Sequence, residues 1–249
     1  MGIIIKSPEE IAIMREAGAI VAKVLQTLTK EIRAGVRTKE LDSICAQELA
    51  TYKAQSSFKG YRGFPAYLCV SVNNEVVHGI PGERVLFEGD IVSLDVGAIF
   101  KGFQGDAAIT VGVEEISPEA KRLLEVTQSA LWAGIAAAKH GAYLGDVSAA
   151  IQLYVESRGF SVVREYTGHG IGREMHEEPQ IPNFGFPGQG PLLQKGMTLA
   201  IEPMVNAGGW GTKLSDDGWT VTTADGSLSA HFEHTIAITD TEPDILTML

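Results

Sequence analysis

The chain has 249 residues, of which 45% are hydrophobic and 20% are charged, as is usual for a soluble globular protein. This length allows a large core, so we expect one large domain or two fused halves. The net charge of −11 argues against a surface that binds nucleic acid, and no stretch reaches the roughly 20 apolar residues of a membrane span. The two cysteines, Cys45 and Cys69, have no paired spacing, which indicates a reducing compartment, and we expect a cytoplasmic protein.

The first predicted element is a long helix that starts after Ser7. Its Ser-Pro-Glu-Glu sequence provides an N-cap, a proline at the first helical position and a glutamate that can bond back to the cap. The helix is predicted to end near Gly35, and Thr38 is predicted to cap a second helix. Two strands are then predicted over Tyr67–Val72 and Glu75–His78, around an Asn-Asn turn.

The segment Ile91–Val113 is predicted to form two strands joined by a turn at Lys101-Gly102. Asp95 and Asp106 lie one on each arm, so the turn places them opposite or diagonal to each other, about 5–8 Å apart. Two carboxylates among apolar residues repel each other, so either one keeps a proton or a cation lies between them. The hairpin alone is equally consistent with an edge ribbon whose aspartates are solvated.

After this hairpin the pattern begins again, since Ser-Pro-Glu recurs at Ser117 and two more predicted helices follow, the second ending near Gly159. We therefore predict an internal duplication, with repeats over about 7–113 and 117–240, inside a single domain that spans residues 1–249. Two helices followed by antiparallel strands in each repeat make the predicted fold class α+β, with pseudo-two-fold symmetry.

The alignment of the repeats places Asp95 over Glu202 and Asp106 over Glu233, so four carboxylates are predicted to converge between the halves. His169, which is flanked by glycines, adds an imidazole that can approach a ligand closely. Oxygen ligands with one imidazole suit first-row divalent metals such as Mn, Fe, Co or Zn. One divalent ion would leave two negative charges uncompensated and two ions would leave none, so the charge count predicts two ions bridged by carboxylates and a water.

These residues lie in the motifs DVGAIFKGFQGDAA, TGHGIGREMHEEP, AIEP and FEHT, and the chain resembles the type I methionine aminopeptidases through them. The similarity runs nearly end to end, from Ser7 to Ile238. It implies a duplicated pita-bread fold, with an antiparallel sheet covered by helices on its outer face, and a dinuclear metalloaminopeptidase that removes N-terminal methionine. The metal ligands that the resemblance implies are Asp95, Asp106, His169, Glu202 and Glu233.

The resemblance also implies how substrate is bound and cleaved. His78 would contact the scissile amide nitrogen, His176 would stabilise the oxyanion, and Glu202 would act as general base beside its role as a ligand. An apolar pocket for the methionine side chain would be lined by Tyr61, Phe64, Cys69, Met175 and Trp219. The implied substrates are nascent polypeptide N-termini, with the ribosome as a candidate partner and no nucleic acid or membrane partner, and we expect a monomer.

Three features depart from the usual pattern of this family. Met175 stands where an aromatic residue is usual, and His231 stands where glutamine is usual, on the same strand face as Glu233. His231 is therefore predicted either to lie near the metals, to support their ligands or to face solvent. The Gly- and Pro-rich segment Ile181–Gln194 is predicted to form a rim loop.

Two other functions stay open at this level. An Xaa-Pro peptidase resembles this ligand set but normally carries a large N-terminal domain, whereas only six residues precede the first helix cap here. A metal-free peptide-binding relative should have lost ligands, and all five are retained. His140 and His234 are predicted to be structural.

Overall fold

The computed structural model describes residues 2–249, in two blocks that each begin with two helices and continue into antiparallel strands. The first block consists of α1 (Pro8–Glu31), α2 (Thr38–Thr51), β1 (Gln55–Ser56), a 3-10 turn (Tyr61–Gly63), β2 (Cys69–Val72), β3 (Glu75–Val77), β4 (Ile91–Phe100) and β5 (Phe103–Gly112). The second consists of α3 (Pro118–Ala137), α4 (Leu144–Glu156), β6 (Ser161–Val162), β7 (Thr167–Gly170), β8 (Glu177–Pro182), β9 (Thr198–Ile201), β10 (Met204–Asn206), β11 (Thr212–Leu214), β12 (Val221–Thr223), β13 (Ser229–His231), β14 (His234–Ala237) and β15 (Asp244–Ile245).

The start of α1 confirms the predicted capping box. The Ser7 hydroxyl accepts a hydrogen bond from the Glu10 N–H at 3.3 Å, and the Glu10 carboxylate accepts one from the Ser7 N–H at 3.0 Å. The predicted cap of α2 is wrong by one residue, because the helix begins at Thr38 itself and Arg37 is its N-cap. The Thr38 hydroxyl is engaged by Gly82 instead, whose N–H it accepts at 2.8 Å and whose carbonyl it donates to at 3.1 Å.

The β4–β5 hairpin has the predicted turn. Lys101 and Gly102 have φ angles of 49° and 79°, and two consecutive left-handed residues form the tight turn that suits the twist of a hairpin. Asp95 lies opposite Ala108, two residues from Asp106 on the partner strand. The two aspartates are therefore diagonal neighbours on one face of the hairpin, which is one of the two arrangements predicted.

The two blocks join along a seam between β5 and the segment that leads into β14. The backbones of Ala108 and Glu233 exchange two hydrogen bonds, of 2.8 Å and 3.4 Å. Two residues further along, the Thr235 hydroxyl accepts from the Asp106 N–H at 3.1 Å and donates to the Asp106 carbonyl at 2.8 Å. The four-stranded sheet of β1, β2, β4 and β5 thus meets the five-stranded sheet β15-β14-β9-β7-β8 with acidic residues at the junction.

Helices cover the strands from outside, so the predicted α+β class is confirmed. Helix α1 packs on β4 and β5, and α3 packs on β5, β9, β10 and β13. The approach of α1 is close enough to require glycine, because a Cβ at Gly105 would lie 2.8 Å from the Gly18 nitrogen. Within residues 2–249 no helix combines the length and the apolar character that would let it cross a membrane.

Candidate metal centre

Three carboxylates and two imidazoles converge at the seam. The Nε2 atom of His169 lies 3.5 Å from Glu202 Oε1 and 3.9 Å from Asp106 Oδ2. The Nε2 atom of His231 lies 3.5 Å from Glu202 Oε2 and 4.0 Å from Glu233 Oε2. Side-chain atoms from Asp106, His169 and Glu233 lie within 4.8 Å of one another, as do atoms from Glu202, His231 and Glu233. We call these five side chains, together with Asp95, the cage.

Both blocks supply the cage. Asp95 and Asp106 come from the β4–β5 hairpin, His169 comes from β7, and Glu202 and Glu233 flank the paired strands β9 and β14. The position of each side chain is therefore set by antiparallel pairing within one block and by the seam between the blocks. The structure brings together all five residues that the sequence predicted as metal ligands, and it adds His231 to them.

The glycines beside His169 are required by the close packing of the strands. A Cβ at Gly168 would lie 2.5 Å from the carbonyl oxygen of Ala200, and a Cβ at Gly170 would lie 2.2 Å from that of Glu178. They let β7 fit between β8 and β9. The Nδ1 of His169 lies 2.8 Å from the Gly170 carbonyl, and this hydrogen bond leaves the Nε2 lone pair facing the cage.

Burial and mutual repulsion shift the pKa values of the cage. Burial raises the pKa of Asp95 to about 7, and it raises the pKa values of Asp106, Glu202 and Glu233 well above their ordinary range. Neighbouring carboxylates raise the pKa values of Asp106 and Glu233 further. Burial lowers the pKa of His169 to about 3, so its imidazole is neutral and able to bind a cation. Ionised carboxylates crowded in this way need positive charge nearby.

Unpartnered atoms in the cage fit a bound metal. Among residues 2–249, the buried atoms Asp95 Oδ1, Asp106 Oδ1, Glu233 Oε1 and His231 Nε2 have no hydrogen-bond partner. A buried acceptor without a partner costs about 1–3 kcal/mol, and more when it is charged. Carboxylate oxygens and imidazole nitrogens are donors that first-row divalent metals accept. The residues present therefore fit a divalent metal centre.

A cavity of about 170 Å³ opens onto the cage. Its walls include every residue that was predicted for the apolar pocket, namely Tyr61, Phe64, Cys69, Met175 and Trp219. The rings of Phe64 and Trp219 meet edge to face, with centroids 5.1 Å apart. Burial and the nearby carboxylates raise the pKa of the Cys69 thiol, so Cys69 contributes a neutral wall rather than a thiolate.

Two further residues line the cavity that sequence reasoning missed, Phe58 and Arg62. Arg62 has a signal in the sequence, because it lies between Gly60 and Gly63 in the loop that supplies the aromatic residues, and its φ is 48°. The predicted rim loop is wrong. Within the described chain, residues 2–249, no member of Ile181–Gln194 lines this cavity, and the segment packs instead on the start of α4 through hydrogen bonds such as Leu144 N–H to the Pro191 carbonyl at 2.9 Å.

The two histidines predicted to act on the substrate both line the cavity. His78 has a φ of 60°, a strained conformation for a residue with a side chain, and burial lowers its pKa to about 4. His176 is exposed, and its Nδ1 atom lies 2.8 Å from the Tyr61 hydroxyl. Although His176 is exposed, part of its ring is desolvated against the cavity wall, and this desolvation together with the nearby Arg62 lowers its pKa, so both rings are neutral at pH 7.

A buried ion pair holds the loop that carries His176. The side chains of Lys6 and Glu177 contact each other and are only 3% and 4% exposed. The Glu177 carboxylate also accepts hydrogen bonds from the N–H groups of Arg173 at 2.9 Å and Glu174 at 3.3 Å. The segment before α1 therefore reaches across to the second block and fixes the turn that precedes His176.

Comparisons with known proteins agree with this geometry. The model of metallopeptidase family M24 matches residues 12–240. The chain is 56% identical over 245 residues to methionine aminopeptidase 1 of Bacillus subtilis, and the match covers 98% of this chain and 99% of that one. A crystal structure of methionine aminopeptidase from Thermotoga maritima is similar with a TM-score of 0.98 at 50% identity, over 100% of both chains. Prolidase from Pyrococcus furiosus shares the fold, with a TM-score of 0.81 at 22% identity over 99% of this chain and 66% of that one.

Acidic side chains and imidazoles at the junction of two helix-covered antiparallel sheets define a metallopeptidase of the pita-bread fold. Within that class, the chain belongs to the methionine aminopeptidases of metallopeptidase family M24. The resemblance and the fold predicted from the sequence are both confirmed. Membership of this family implies that the chain uses a divalent metal.

Proposed function

We propose that this chain is a metal-dependent aminopeptidase that removes the N-terminal methionine from nascent proteins and peptides. One observation carries the proposal: a single cavity holds both the acidic cage and an apolar pocket lined by aromatic rings, Met175 and Cys69. A methionine side chain is flexible and polarisable, and contact with aromatic rings stabilises it. The named activity of relatives at 46–56% identity supports the same assignment.

For the metal centre we propose two divalent ions held by Asp95, Asp106, His169, Glu202 and Glu233. Four carboxylates carry four negative charges when ionised, which two divalent ions balance. When bound, such ions lower the pKa of water towards about 7 and polarise a carbonyl group. The donor set admits Co, Mn, Fe or Zn, because metal supply decides between these as much as affinity does.

His176 is proposed to stabilise the oxyanion. Its ring is neutral, so one nitrogen donates a hydrogen bond and the other accepts one. If the Tyr61 hydroxyl donates to Nδ1, the Nε2–H is left to donate to the carbonyl oxygen of the substrate. Tyr61 is then a positioning residue that selects the tautomer and holds the ring.

His78 and Glu202 are proposed to handle protons and the leaving group. His78 is neutral at pH 7 because burial lowers its pKa to about 4, so it can hydrogen-bond the scissile amide nitrogen without adding charge to the site. Burial raises the pKa of Glu202, which makes this carboxylate a stronger base towards a nearby water. Glu202 thus combines a ligand oxygen with a proton acceptor.

Peptide hydrolysis tests the proposal. The protein is stripped of metal, loaded with Mn²⁺ or Co²⁺, and incubated with a Met-Gly peptide and with a matched Xaa-Pro peptide. Release of free methionine from the first peptide alone is the expected result. Cleavage of the Xaa-Pro peptide instead would favour the proline-specific alternative, and no turnover with any divalent metal would favour a peptide-binding relative.

We further propose that residues 1–249 form one catalytic domain, built from the two repeats, that acts as a monomer in the cytoplasm. Its substrates emerge from the ribosome, which makes the ribosome a candidate partner. Size-exclusion chromatography with light scattering tests the monomer, and co-sedimentation with ribosomes over a range of salt concentrations tests the partner.

A further inference from the structure

His231 lies at the cage, but the function proposed above gives it no role. It is the last residue of β13, it is 1% exposed, and it pairs with Met204 across the sheet. No atom of residues 2–249 forms a hydrogen bond with its Nε2. A buried imidazole nitrogen in this condition is costly unless something else satisfies it.

The distances around Nε2 suit an ion shared with two carboxylates. Nε2 lies 3.5 Å from Glu202 Oε2 and 4.0 Å from Glu233 Oε2, which is too far for a normal hydrogen bond to either. Two donors that each lie about 2.1 Å from one ion are about 3.0–4.0 Å apart for donor–ion–donor angles of about 90–145°. The separations of His231 from both glutamates fall in that range.

The backbone of His231 is fixed from both sides. Its N–H donates to the Thr110 hydroxyl at 2.9 Å, and that hydroxyl donates to the His231 carbonyl at 2.8 Å. Thr110 belongs to β5, so the bond crosses the seam between the two blocks. The backbone that carries the ring is therefore held in place before any ligand arrives, and burial of the side chain limits its movement, as a metal site requires.

The first repeat shows what a structural side chain does at the same position. The alignment that places Glu233 over Asp106 places His231 over Gln104. Gln104 is buried too, but its oxygen accepts from the Ser57 hydroxyl at 2.6 Å and its nitrogen donates to the Arg173 carbonyl at 3.2 Å. A polar residue placed there for packing alone is thus satisfied within the protein, whereas the His231 Nε2 is not.

We propose that His231 is a sixth protein ligand of the metal centre and binds through Nε2 an ion that it shares with Glu202 and Glu233. This inference rests on the metal centre proposed above. A second imidazole adds a ligand without adding negative charge, and imidazole suits Zn, Fe and Co while Mn prefers oxygen donors. His231 therefore shifts the selectivity of the site away from Mn.

The test counts ligated imidazoles in the protein loaded with two equivalents of Co²⁺. Proton NMR detects them, because imidazoles bound to high-spin Co²⁺ show large contact shifts, and protein grown on ring-deuterated histidine assigns the signals. Calorimetric titration of the metal-free protein with Co²⁺ and with Mn²⁺ measures affinity in parallel. The variants are His231→Gln and, as the matched control, His234→Gln, since His234 is half-buried near this seam but its Nδ1 lies 2.9 Å from the Thr247 hydroxyl.

Two ligated imidazoles are expected in the native protein and in His234→Gln, and one is expected in His231→Gln. The His231→Gln variant should bind Co²⁺ roughly 10–100-fold more weakly, with a smaller loss for Mn²⁺. A single ligated imidazole in the native protein would overturn the proposal. This count is made on the native protein, so it does not depend on whether the variant folds. If that protein still released methionine, the proposed function would stand, whereas failure to bind any divalent ion would remove both proposals.

Discussion

His176 presents one edge of its ring to the cavity, because the Tyr61 hydroxyl lies 2.8 Å from its Nδ1. The His176→Ala variant is expected to lower kcat by roughly 10²–10³, the cost of one oxyanion donor, with little change in KM. Tyr61→Phe keeps the aromatic wall and should lower kcat less. Steady-state kinetics on a Met-Gly peptide measures both, and an unchanged kcat in His176→Ala would exclude the oxyanion role.

Asp95 makes the stability of the metal-free protein depend on pH. Its pKa rises to about 7 in the folded state, above the ordinary 3.8, so its stabilising contribution is complete below about pH 4 and is lost as the pH rises through 7. In chelator, Asp95→Asn should therefore gain stability relative to the native protein between pH 4 and 7, by up to about 4 kcal/mol. Urea unfolding at several pH values measures this gain.

The exposed Asp216→Asn serves as the control for this series, and its unfolding curve should track that of the native protein at every pH. A difference between Asp95→Asn and the native protein that does not change with pH would contradict the argument from charge.

The convergence of the four carboxylates and His169 was predictable from the sequence because each lies in a short motif and the repeats align acid with acid. The Tyr61–His176 hydrogen bond could not be predicted, because it joins loops 115 residues apart and neither loop has a periodic pattern. For His231, the alternation along the strand predicted that it shares a face with Glu233, but it did not decide whether the ring is buried or exposed to solvent. Burial between two blocks is a property of the assembled sheets, so only the structure could exclude a solvent-facing ring.

At the level of elements, the contact between α1 and the β4–β5 hairpin depends on two glycines. Gly105→Ala would place a methyl group 2.8 Å from the Gly18 backbone nitrogen, which has little freedom to move inside a helix. We expect a loss of about 1–3 kcal/mol from this overpacking. Gly82→Ala is the matched control, because the nearest atom to its Cβ lies 4.0 Å away, and thermal unfolding should separate the two.

The Lys6–Glu177 pair joins the segment before α1 to the loop that carries His176. Lys6→Met leaves a buried carboxylate without its partner, so we expect a loss of about 3–5 kcal/mol and a lower kcat. The double variant Lys6→Met/Glu177→Gln removes the stranded charge and should recover part of the stability. In contrast, Lys139→Met breaks the exposed pair with Glu242 and should cost at most about 1 kcal/mol.

Element boundaries were predictable where the signal is local. The α1 capping box and the Lys101-Gly102 turn depend on residues within four positions of each other, and both lie where predicted. The start of α2 could not be predicted in this way. The Thr38 hydroxyl forms its hydrogen bond with Gly82, 44 residues away, instead of capping the helix. The same holds for the segment 181–194, whose glycines and prolines indicate a loop but do not show that α4 is its packing partner.

For the molecule as a whole, metal binding is linked to stability. An ion that binds only the folded protein adds about 2.7 kcal/mol at 100 times its Kd. We expect the melting temperature to fall in chelator and to rise with Mn²⁺ or Co²⁺. Asp106→Asn should abolish turnover and remove most of this rise, because Asp106 is buried and clusters with His169 and Glu233 in an arrangement that fits a metal ion. A rise of the native size in that variant would show that the ions bind elsewhere.

The buried ion pair also breaks the symmetry between the halves. Ser117 corresponds to Ser7, so the residue that corresponds to Lys6 is Ile116, which is buried and uncharged. Cleaving the polypeptide between the repeats would leave the ammonium on one fragment and its carboxylate on the other. Neither fragment could bury its half of the ion pair without leaving a charge uncompensated. The two fragments should therefore be soluble and ordered only when they are mixed. Two copies of one fragment could not replace the mixture.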